Sequence, residues 1–443
     1  MALKGLDIFK ISPKKNCKEC GSPTCMAFSM KVAQGAVSID ACPYFSEEAK
    51  AKLNEATAPA MKTITVGAGE TEHKLGGETV LFRHEKTFVN KTLYAVNVCE
   101  GCFDGKIDSI KKVDYERIGE REYVEFLNVQ FTGDKDKYVD LVKKAKEQGR
   151  ALILDCKDVD AAAAALEVCA DCKPILNGAT PDNYAAMCEL ATKCGVVLGV
   201  SAGDIDALYD TVAALEAAGN KNLVLDVTCA TIKDTFATAV QVRRAAIKDT
   251  DRTFGYPSIV DVSKICGGDT TLEGALASLF TMKYGSIIVM SEMKYSEALA
   301  LYGLRQNIFT DPQKPMKVEP GIYPLNGADE NAICVTTVDF ALTYFVVSAE
   351  LERSGVPLNL LITDAGGYSV LTAWAAGKLS SGSIAKFIAE NDIENKCKNH
   401  VLIIPGKVAV LKGELEDKLP GWKIITAPNE AVGLVKFLKE LNV

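Results

Sequence analysis

Residues 151–201 read ALILDCKDVDAAAAALEVCADCKPILNGATPDNYAAMCELATKCGVVLGVS. Three short apolar runs stand out, ALILDC (151–156), PILNGA (174–179) and VVLGVS (196–201). Segments of helical composition separate them. Apolar runs that alternate with helices imply parallel strands buried on both faces.

The same alternation extends in both directions. Upstream lie LYAVNV (93–98) and EFLNVQF (125–131), and downstream NLVLDV (222–227), SIVDV (258–262) and SIIVMS (286–291). DKYVDLVKKAKEQG (136–149) and DIDALYDTVAALEAAGN (204–220) are typical of the helical segments between them. Eight strands with helical crossovers predict a closed (β/α)8 TIM barrel, in which SIVDV is the weakest strand. Before it, KTITVGAGETEHKLGGETVLFRHEKTF (62–88) alternates apolar and polar residues, which predicts a hairpin turning at Gly76-Gly77.

DPQKPMKVEPGIYPLNGADEN (311–331) carries Pro312, Pro315, Pro320 and Pro324. Prolines this dense block both helix and central strand, so the segment reads as a linker. Four further strand–helix units follow it. Their strands are AICVTTV (332–338), LNLLITDA (358–365), HVLIIPG (400–406) and WKIITAPN (422–429), in the pattern of an open, doubly wound Rossmann-like sheet. Ligands of such sheets sit at the carboxyl ends of the strands. The first sixty residues form a unit of their own, with a short helix expected in FSEEAKAKLNEATA (45–58) and a hinge at ATAPAMK (56–62). The expected domains are therefore 1–60, 61–325 with the hairpin included, and 326–443.

Composition bounds the function. The chain has 443 residues, 48% apolar and 24% charged, with a formal net charge of −8. No cluster of Lys and Arg offers a nucleic-acid footprint. No apolar run reaches the roughly 20 residues that span a bilayer, and the N-terminus lacks a signal-peptide core. A cytoplasmic protein is expected, and there disulfides are rare. The cysteine count of fifteen is odd, so they cannot all pair within the chain.

Four of those cysteines lie in CKECGSPTCMAFSMKVAQGAVSIDAC (17–42): Cys17, Cys20, Cys25 and Cys42. A zinc knuckle usually uses two close pairs or a pair of histidines. Here the fourth cysteine stands alone, and no histidine precedes His73. A compact three-cysteine loop plus one distant cysteine suits an iron–sulfur cube better. Gly21 and Pro23 supply turns between Cys20 and Cys25, and Pro43 follows the last cysteine. Zinc and buried free thiols are the competing readings. Two other pairs, Cys99/Cys102 and Cys169/Cys172, read as small buried apolar residues, since free cysteine is commonly that.

The three histidines lie far apart in sequence, and no G-x-S-x-G, H-E-x-x-H or P-loop motif occurs. Asn177, Ser201 and Asp204 fall at barrel strand ends, where a pterin or another small ligand could bind. Asp182 and Asp204 are better explained as helix caps. In the last domain TDAGGYSVLTAWAAGKL (363–379) places Gly366-Gly367 after a strand, allowing close approach of a ligand to the backbone. Hydroxyls of Tyr368, Ser369 and Thr372 follow, with Thr336, Thr337 and Thr343 beside the neighbouring strand end. The alternative is an ordinary strand–helix turn.

Taken together, NCKECGSPTCMAFSMKVAQG with ACPY, and DAGGYSVLTAWAAGK, resemble one family over essentially the whole length. It is the large (gamma) subunit of the corrinoid iron–sulfur protein of the acetyl-CoA pathway. The resemblance implies that Cys17, Cys20, Cys25 and Cys42 ligate a low-potential 4Fe–4S cluster. It implies a cobamide held by the C-terminal domain at the interface with a smaller, barrel-shaped subunit. The corrinoid positions carried over are Thr336, Thr337, Thr343, Gly366, Gly367, Tyr368, Ser369, Val370, Leu371, Glu430 and Ala431.

The C-terminal domain has no D-x-H-x-x-G loop, and its only histidine, His400, precedes a strand. A cobamide there would be base-off with no protein imidazole on cobalt, which eases reduction to Co(I). The expected function is that of a methyl carrier rather than a self-sufficient enzyme. Co(I) would accept a methyl group from methyltetrahydrofolate through a pterin methyltransferase and deliver it to acetyl-CoA synthase. The cluster, fed by a reductive activator or ferredoxin, would restore cobalt lost as Co(II). The alternatives are a self-contained pterin-dependent corrinoid methyltransferase and an iron–sulfur electron-transfer module.

Overall fold

The computed structural model describes residues 5–33, 37–46, 50, 60–310 and 316–441. Most of the helix expected at 45–58, most of the hinge at 56–62, and Pro312 and Pro315 lie outside the described residues. Contacts divide the chain into two units, 1–115 with 122–309, and 116–121 with 310–443.

In the first unit β1 (Thr63–Val66) and β2 (His73–Gly76) form the expected hairpin, with Thr63 opposite Gly76. The turn, however, is at Gly67–Glu72, not at Gly76-Gly77. Gly67 has φ +80, and a Cβ there would stand 1.9 Å from the Thr71 carbonyl oxygen, so the tight turn needs glycine at 67. Gly76 instead lets the strand end approach the Lys62 carbonyl, which a Cβ would meet at 2.4 Å.

All eight expected barrel strands form. They are β3 (Leu93–Val98), β6 (Phe126–Gln130), β7 (Ala151–Asp155), β8 (Ile175–Ala179), β9 (Val197–Ser201), β10 (Leu223–Asp226), β11 (Ser258–Asp261) and β12 (Ile287–Met290). They close in the order β10-β11-β12-β3-β6-β7-β8-β9, every neighbouring pair parallel. Between β3 and β6 the chain inserts an antiparallel hairpin, β4 (Asp114–Arg117) and β5 (Glu120–Tyr123), which the strand–helix pattern did not announce. Its turn uses Ile118 and Gly119 at φ +51 and +71, the geometry that a two-residue hairpin requires.

At the amino ends of the strands, Arg305 pairs with Glu122 and with Glu125 at 2.6 Å, all three buried. Arg305 also donates to the Thr92 carbonyl at 3.0 Å, and Glu125 accepts from the Tyr94 amide at 2.9 Å. Both carboxylates of this buried triad therefore pair with the one guanidinium, while Glu122 Oε1 and Arg305 Nε have no hydrogen-bond partner.

The second unit is a five-stranded sheet, β13-β15-β14-β16-β17. Its parallel strands are β14 (Ile333–Val338), β15 (Leu358–Thr363), β16 (Val401–Ile404) and β17 (Lys423–Thr426). Part of the segment read as a linker is itself a strand. β13 (Gly321–Leu325) pairs antiparallel with β15, and Pro324 is tolerated because β13 is an edge. Alternate strand residues enter two separate cores. Cys334, Val338, Leu361, Leu402 and Ile404 pack into one, and Ile333, Val335, Leu360, Ile362 and Ile403 into the other. The sheet is thus covered on both faces, which is why its strands read as unbroken apolar runs.

Candidate metal centre and cofactor cleft

The four N-terminal cysteines line one small pocket, together with Asn16, Phe28 and Phe45. Local sequence builds its wall. Asn16, Lys18 and Gly21 adopt left-handed backbone (φ +47, +69 and +71), which curls the loop tightly around Cys17 and Cys20. The Asn16 Oδ1 accepts from the Cys25 amide at 2.8 Å, and the Asn16 amide donates to Cys25 Sγ at 3.3 Å. Thr24 Oγ1 accepts from the Ala27 amide at 3.1 Å and so starts the helix Cys25–Ala33 at the third cysteine. The Tyr44 hydroxyl donates to Glu19 at 2.8 Å, and Lys15 lies 3.7 Å from the Tyr44 ring centre. These contacts tie the segment after Cys42 to the three-cysteine loop across a small core of Ile8, Phe28, Val32, Ile39 and Phe45.

Among the described residues no three of His, Cys, Asp and Glu converge closely enough to hold a single metal ion. The thiols instead surround a common pocket, and a donor set of four cysteines is the one an iron–sulfur cluster takes.

The second site is a cleft of about 300 Å³ at the carboxyl ends of β14, β16 and β17. Consecutive connections leave β14 in opposite directions, to β15 on one side and from β15 to β16 on the other. The cleft therefore opens at a topological switch point, where open α/β sheets bind ligands. Of the positions singled out in sequence, Thr336, Thr337, Thr343, Ser369, Val370, Leu371, Glu430 and Ala431 line it. The Thr337 hydroxyl is buried without a hydrogen-bond partner, an orphaned donor at the cleft wall.

Gly366, Gly367 and Tyr368 are not among the lining residues. Both glycines have positive φ, +68 and +76, and turn the chain between β15 and the helix Val370–Ala375. Asp339, fully buried, anchors that turn by accepting from the Ala365 amide at 3.0 Å and the Gly367 amide at 3.0 and 3.1 Å. The double glycine thus shapes the turn that leads into the cleft wall.

Sequence reasoning missed Asp339, as well as Leu342, Val346, Lys407 and Asn429, which also line or shape the cleft. Leu342 and Val346 are four apart on the helix Ala341–Ser354 and stay 62% and 48% exposed. Apolar residues outward on an amphipathic helix are the signal that could have found them. Among the described residues Lys407 is the only cation in the lining, and it pairs with Glu430 at 3.1 Å. No histidine lines the cleft: His400 sits before the amino end of β16 and stacks on Trp422.

At the barrel mouth the polar strand ends bond one another. Asn177 donates to Asp226 at 3.0 Å, Asn128 to Asn97 at 2.6 Å, and Asn97 to Ser263 at 2.7 Å. Lys264, after β11, reaches Asp155 at the end of β7 at 3.1 Å while pairing with Asp261 at 3.1 Å. β7 and β11 lie opposite each other in the barrel order, so this side chain spans the mouth. Burial works against its charge, yet Asp261, Asp155 and Asp226 outweigh that and hold its pKa above the usual lysine value. Asp204 caps the helix Ile205–Ala217 as expected, accepting from Ala207 at 2.8 Å. Asp182 does not cap. The residue at the start of the helix Tyr184–Cys194 is Asn183, whose side chain accepts instead from the Thr180 amide at 2.7 Å.

Cys99 and Cys102 depart from the expectation of buried free thiols, for their sulfurs are joined and both residues are partly exposed. Cys169 is buried at the end of the helix Val159–Cys169, and Cys172 is partly exposed. No helix among the described residues is long and apolar enough to cross a membrane.

Two family models match the chain. A family model described as CO dehydrogenase/acetyl-CoA synthase delta subunit matches residues 63–438, and an Fe-S cluster model matches residues 13–44. The chain is 38% identical to the corrinoid/iron–sulfur protein large subunit of Moorella thermoacetica, over 99% of each chain. It is 32% identical to the acetyl-CoA decarbonylase/synthase complex subunit gamma of Methanothermobacter thermautotrophicus, over 100% of this chain and 99% of that one. The same identity holds to subunit gamma of Methanopyrus kandleri, over 99% and 98%. The chain accordingly belongs to the family of corrinoid/iron–sulfur protein large subunits of the acetyl-CoA pathway.

Proposed function

We propose that the protein is a methyl carrier, holding a cobamide in the C-terminal cleft and a 4Fe–4S cluster on Cys17, Cys20, Cys25 and Cys42. When bound, the cobamide would supply a nucleophilic cobalt for methyl transfer between a pterin-bound donor and acetyl-CoA synthase, and the cluster would supply reducing electrons for it. The observation that carries the reading is a cleft at the switch point of a parallel sheet, lined by most of the positions that the family resemblance implies for a corrinoid. On this reading the chain divides into a cluster domain, a barrel and a Rossmann-like corrinoid-binding domain.

The chain's own residues bind and orient. Thr337 has a free hydroxyl for a ligand amide, and Thr343 and Ser369 add hydroxyls from two helix starts. Leu342, Val346 and Leu371 give a flat apolar bed that excludes water from one face of a macrocycle. No histidine lines the cleft, so a cobamide held there would find no protein imidazole among these residues. The opposite face is left to a smaller barrel-shaped subunit, and in turn to a methyltransferase and to acetyl-CoA synthase.

The competing reading, a self-contained pterin-dependent methyltransferase, would place a pterin at the barrel mouth. There the polar groups already bond one another, and Lys264 spans between Asp155 and Asp261. This favours the carrier. The test is single-turnover methylation of the reduced, cobamide-loaded protein by methyltetrahydrofolate or its archaeal analogue. Methylation only after addition of a separate methyltransferase supports the carrier, and methylation without it favours the enzyme.

A further inference from the structure

The loop after β3 holds a pair of cysteines that neither the cluster pocket nor the cleft uses. Cys99 and Cys102 have Cα atoms 5.4 Å apart, within disulfide range, and their sulfurs are joined. Cys99 directly follows the last residue of β3, and Cys102 occupies the N-cap position of the nine-residue helix Phe103–Lys111.

Such a bond does little for stability. Cross-link stabilisation falls with the length of the closed loop, and this loop is among the shortest possible. Its ends are already fixed by a fully buried barrel strand and a helix with Phe103, Ile107 and Ile110 in the core. A staple is not needed here.

The chemistry of the two sulfurs differs from that of the barrel's other thiols. Burial pushes the Cys156 thiol up to about 11 and the Cys169 thiol up to about 12, which keeps both inert at neutral pH. Cys102 sits differently. It is partly exposed, it occupies the N-cap of a helix without a side-chain cap bond, and the Cys99 amide donates toward its sulfur at 3.0 Å. Exposure and an amide donor are the surroundings in which a cysteine reacts.

We propose that Cys99–Cys102 is a redox-active pair on the rim of the barrel mouth, exchanging between disulfide and dithiol with a dithiol reductant of the thioredoxin class. The thiolate of the reductant attacks Cys99 Sγ, a mixed disulfide forms, and the internal S–S bond breaks with Cys102 leaving as the stabilised thiolate. The reductant's second thiol then attacks the mixed disulfide and frees Cys99. The protein pair gains two electrons and two protons, and the reductant ends as its own disulfide. Cys102 is the better leaving group because the lower-pKa thiol leaves faster.

The test is thiol trapping on the folded full-length protein, equilibrated anaerobically in oxidised and reduced dithiothreitol mixtures or with thioredoxin, then alkylated and read by peptide mass spectrometry. The peptide containing residues 99–102 should shift completely from unalkylated to doubly alkylated across the series, with Cys156 and Cys169 unreactive throughout. In the Cys99→Ser variant, Cys102 should alkylate roughly tenfold faster than Cys172 at neutral pH. With the Cys99–Cys102 disulfide intact, a thioredoxin lacking its resolving cysteine should be trapped as a mixed disulfide on Cys99, with Cys102 released as the free thiol. A pair that stays doubly alkylatable in every mixture, or a disulfide that yields only after unfolding, would overturn the proposal. So would a Cys102 no faster than Cys172.

Discussion

Both carboxylate oxygens of Asp339 accept the backbone amide of Gly367, at 3.0 and 3.1 Å, and one of them also takes the Ala365 amide. This buried acid therefore sets the turn that presents Ser369, Val370 and Leu371 to the cleft. Asp339→Ala leaves two buried amides unpaired and should cost about 1–3 kcal/mol for each. Cobamide affinity should fall with it. Denaturant unfolding and equilibrium binding check the two effects.

The same carboxyl gives a pH dependence. Burial raises its pKa, although the Gly367 and Ala365 amides oppose the shift. A carboxyl raised in the fold holds its proton more tightly folded than unfolded. Its contribution to stability therefore improves as pH falls from neutrality through the raised value, and levels off below the ordinary value of about 4. Unfolding free energy measured against pH should show that slope, and Asp339→Asn should flatten it.

Single Cys→Ser changes at Cys17, Cys20, Cys25 or Cys42 should each lower iron from about four per chain and abolish the reduced-cluster EPR signal. Cys172→Ser, outside the pocket, should leave both unchanged. Iron analysis of the anaerobically purified variants decides it, and an unaffected member of the four would remove that residue from the ligand set.

Among the described residues Lys407 is the only cation lining the cleft, and the phosphodiester is the only anionic group in a cobamide's tail. Lys407→Met should weaken the complete cobamide about tenfold, or ~1.4 kcal/mol, at low salt. It should leave the affinity for cobinamide, which lacks the phosphate and its nucleotide, nearly unchanged. Titration of both ligands against both proteins checks this.

Removing one member of the buried triad beneath the barrel should be severe. Arg305→Met strips Glu122 and Glu125 of their counter-charge and should destabilise the first unit by about 3–5 kcal/mol. Chemical denaturation monitors it, and the variant's cluster pocket and cleft are not altered directly.

The barrel was legible because its strands are buried on both faces, so the period-2 pattern collapses into apolar runs such as ALILD and VVLGV that turn residues delimit. The gathering of the four cysteines around one pocket was legible because three of them lie within nine residues of one another. The edge strand β13 was hidden by Pro320 and Pro324, since proline excludes a central strand but not an edge. The hairpin turn was placed at the wrong glycines because Gly67 and Gly76 both carry positive φ, and only the packing of Thr71 against one and Lys62 against the other tells them apart. Asp339 was missed for a similar reason. Its partners are backbone amides almost thirty residues away, and no side-chain spacing encodes them.

The central claim is that the C-terminal cleft holds a cobamide in a chain that also carries a 4Fe–4S cluster. Metal analysis with an anaerobic absorption spectrum of the protein, purified with its native partner subunit, tests it most directly. The account predicts about one cobalt and about four iron per chain, a corrinoid spectrum of base-off form, and cobalt lost on Asp339→Ala while iron is kept. Iron without cobalt, or a flavin spectrum in place of the corrinoid, would contradict it.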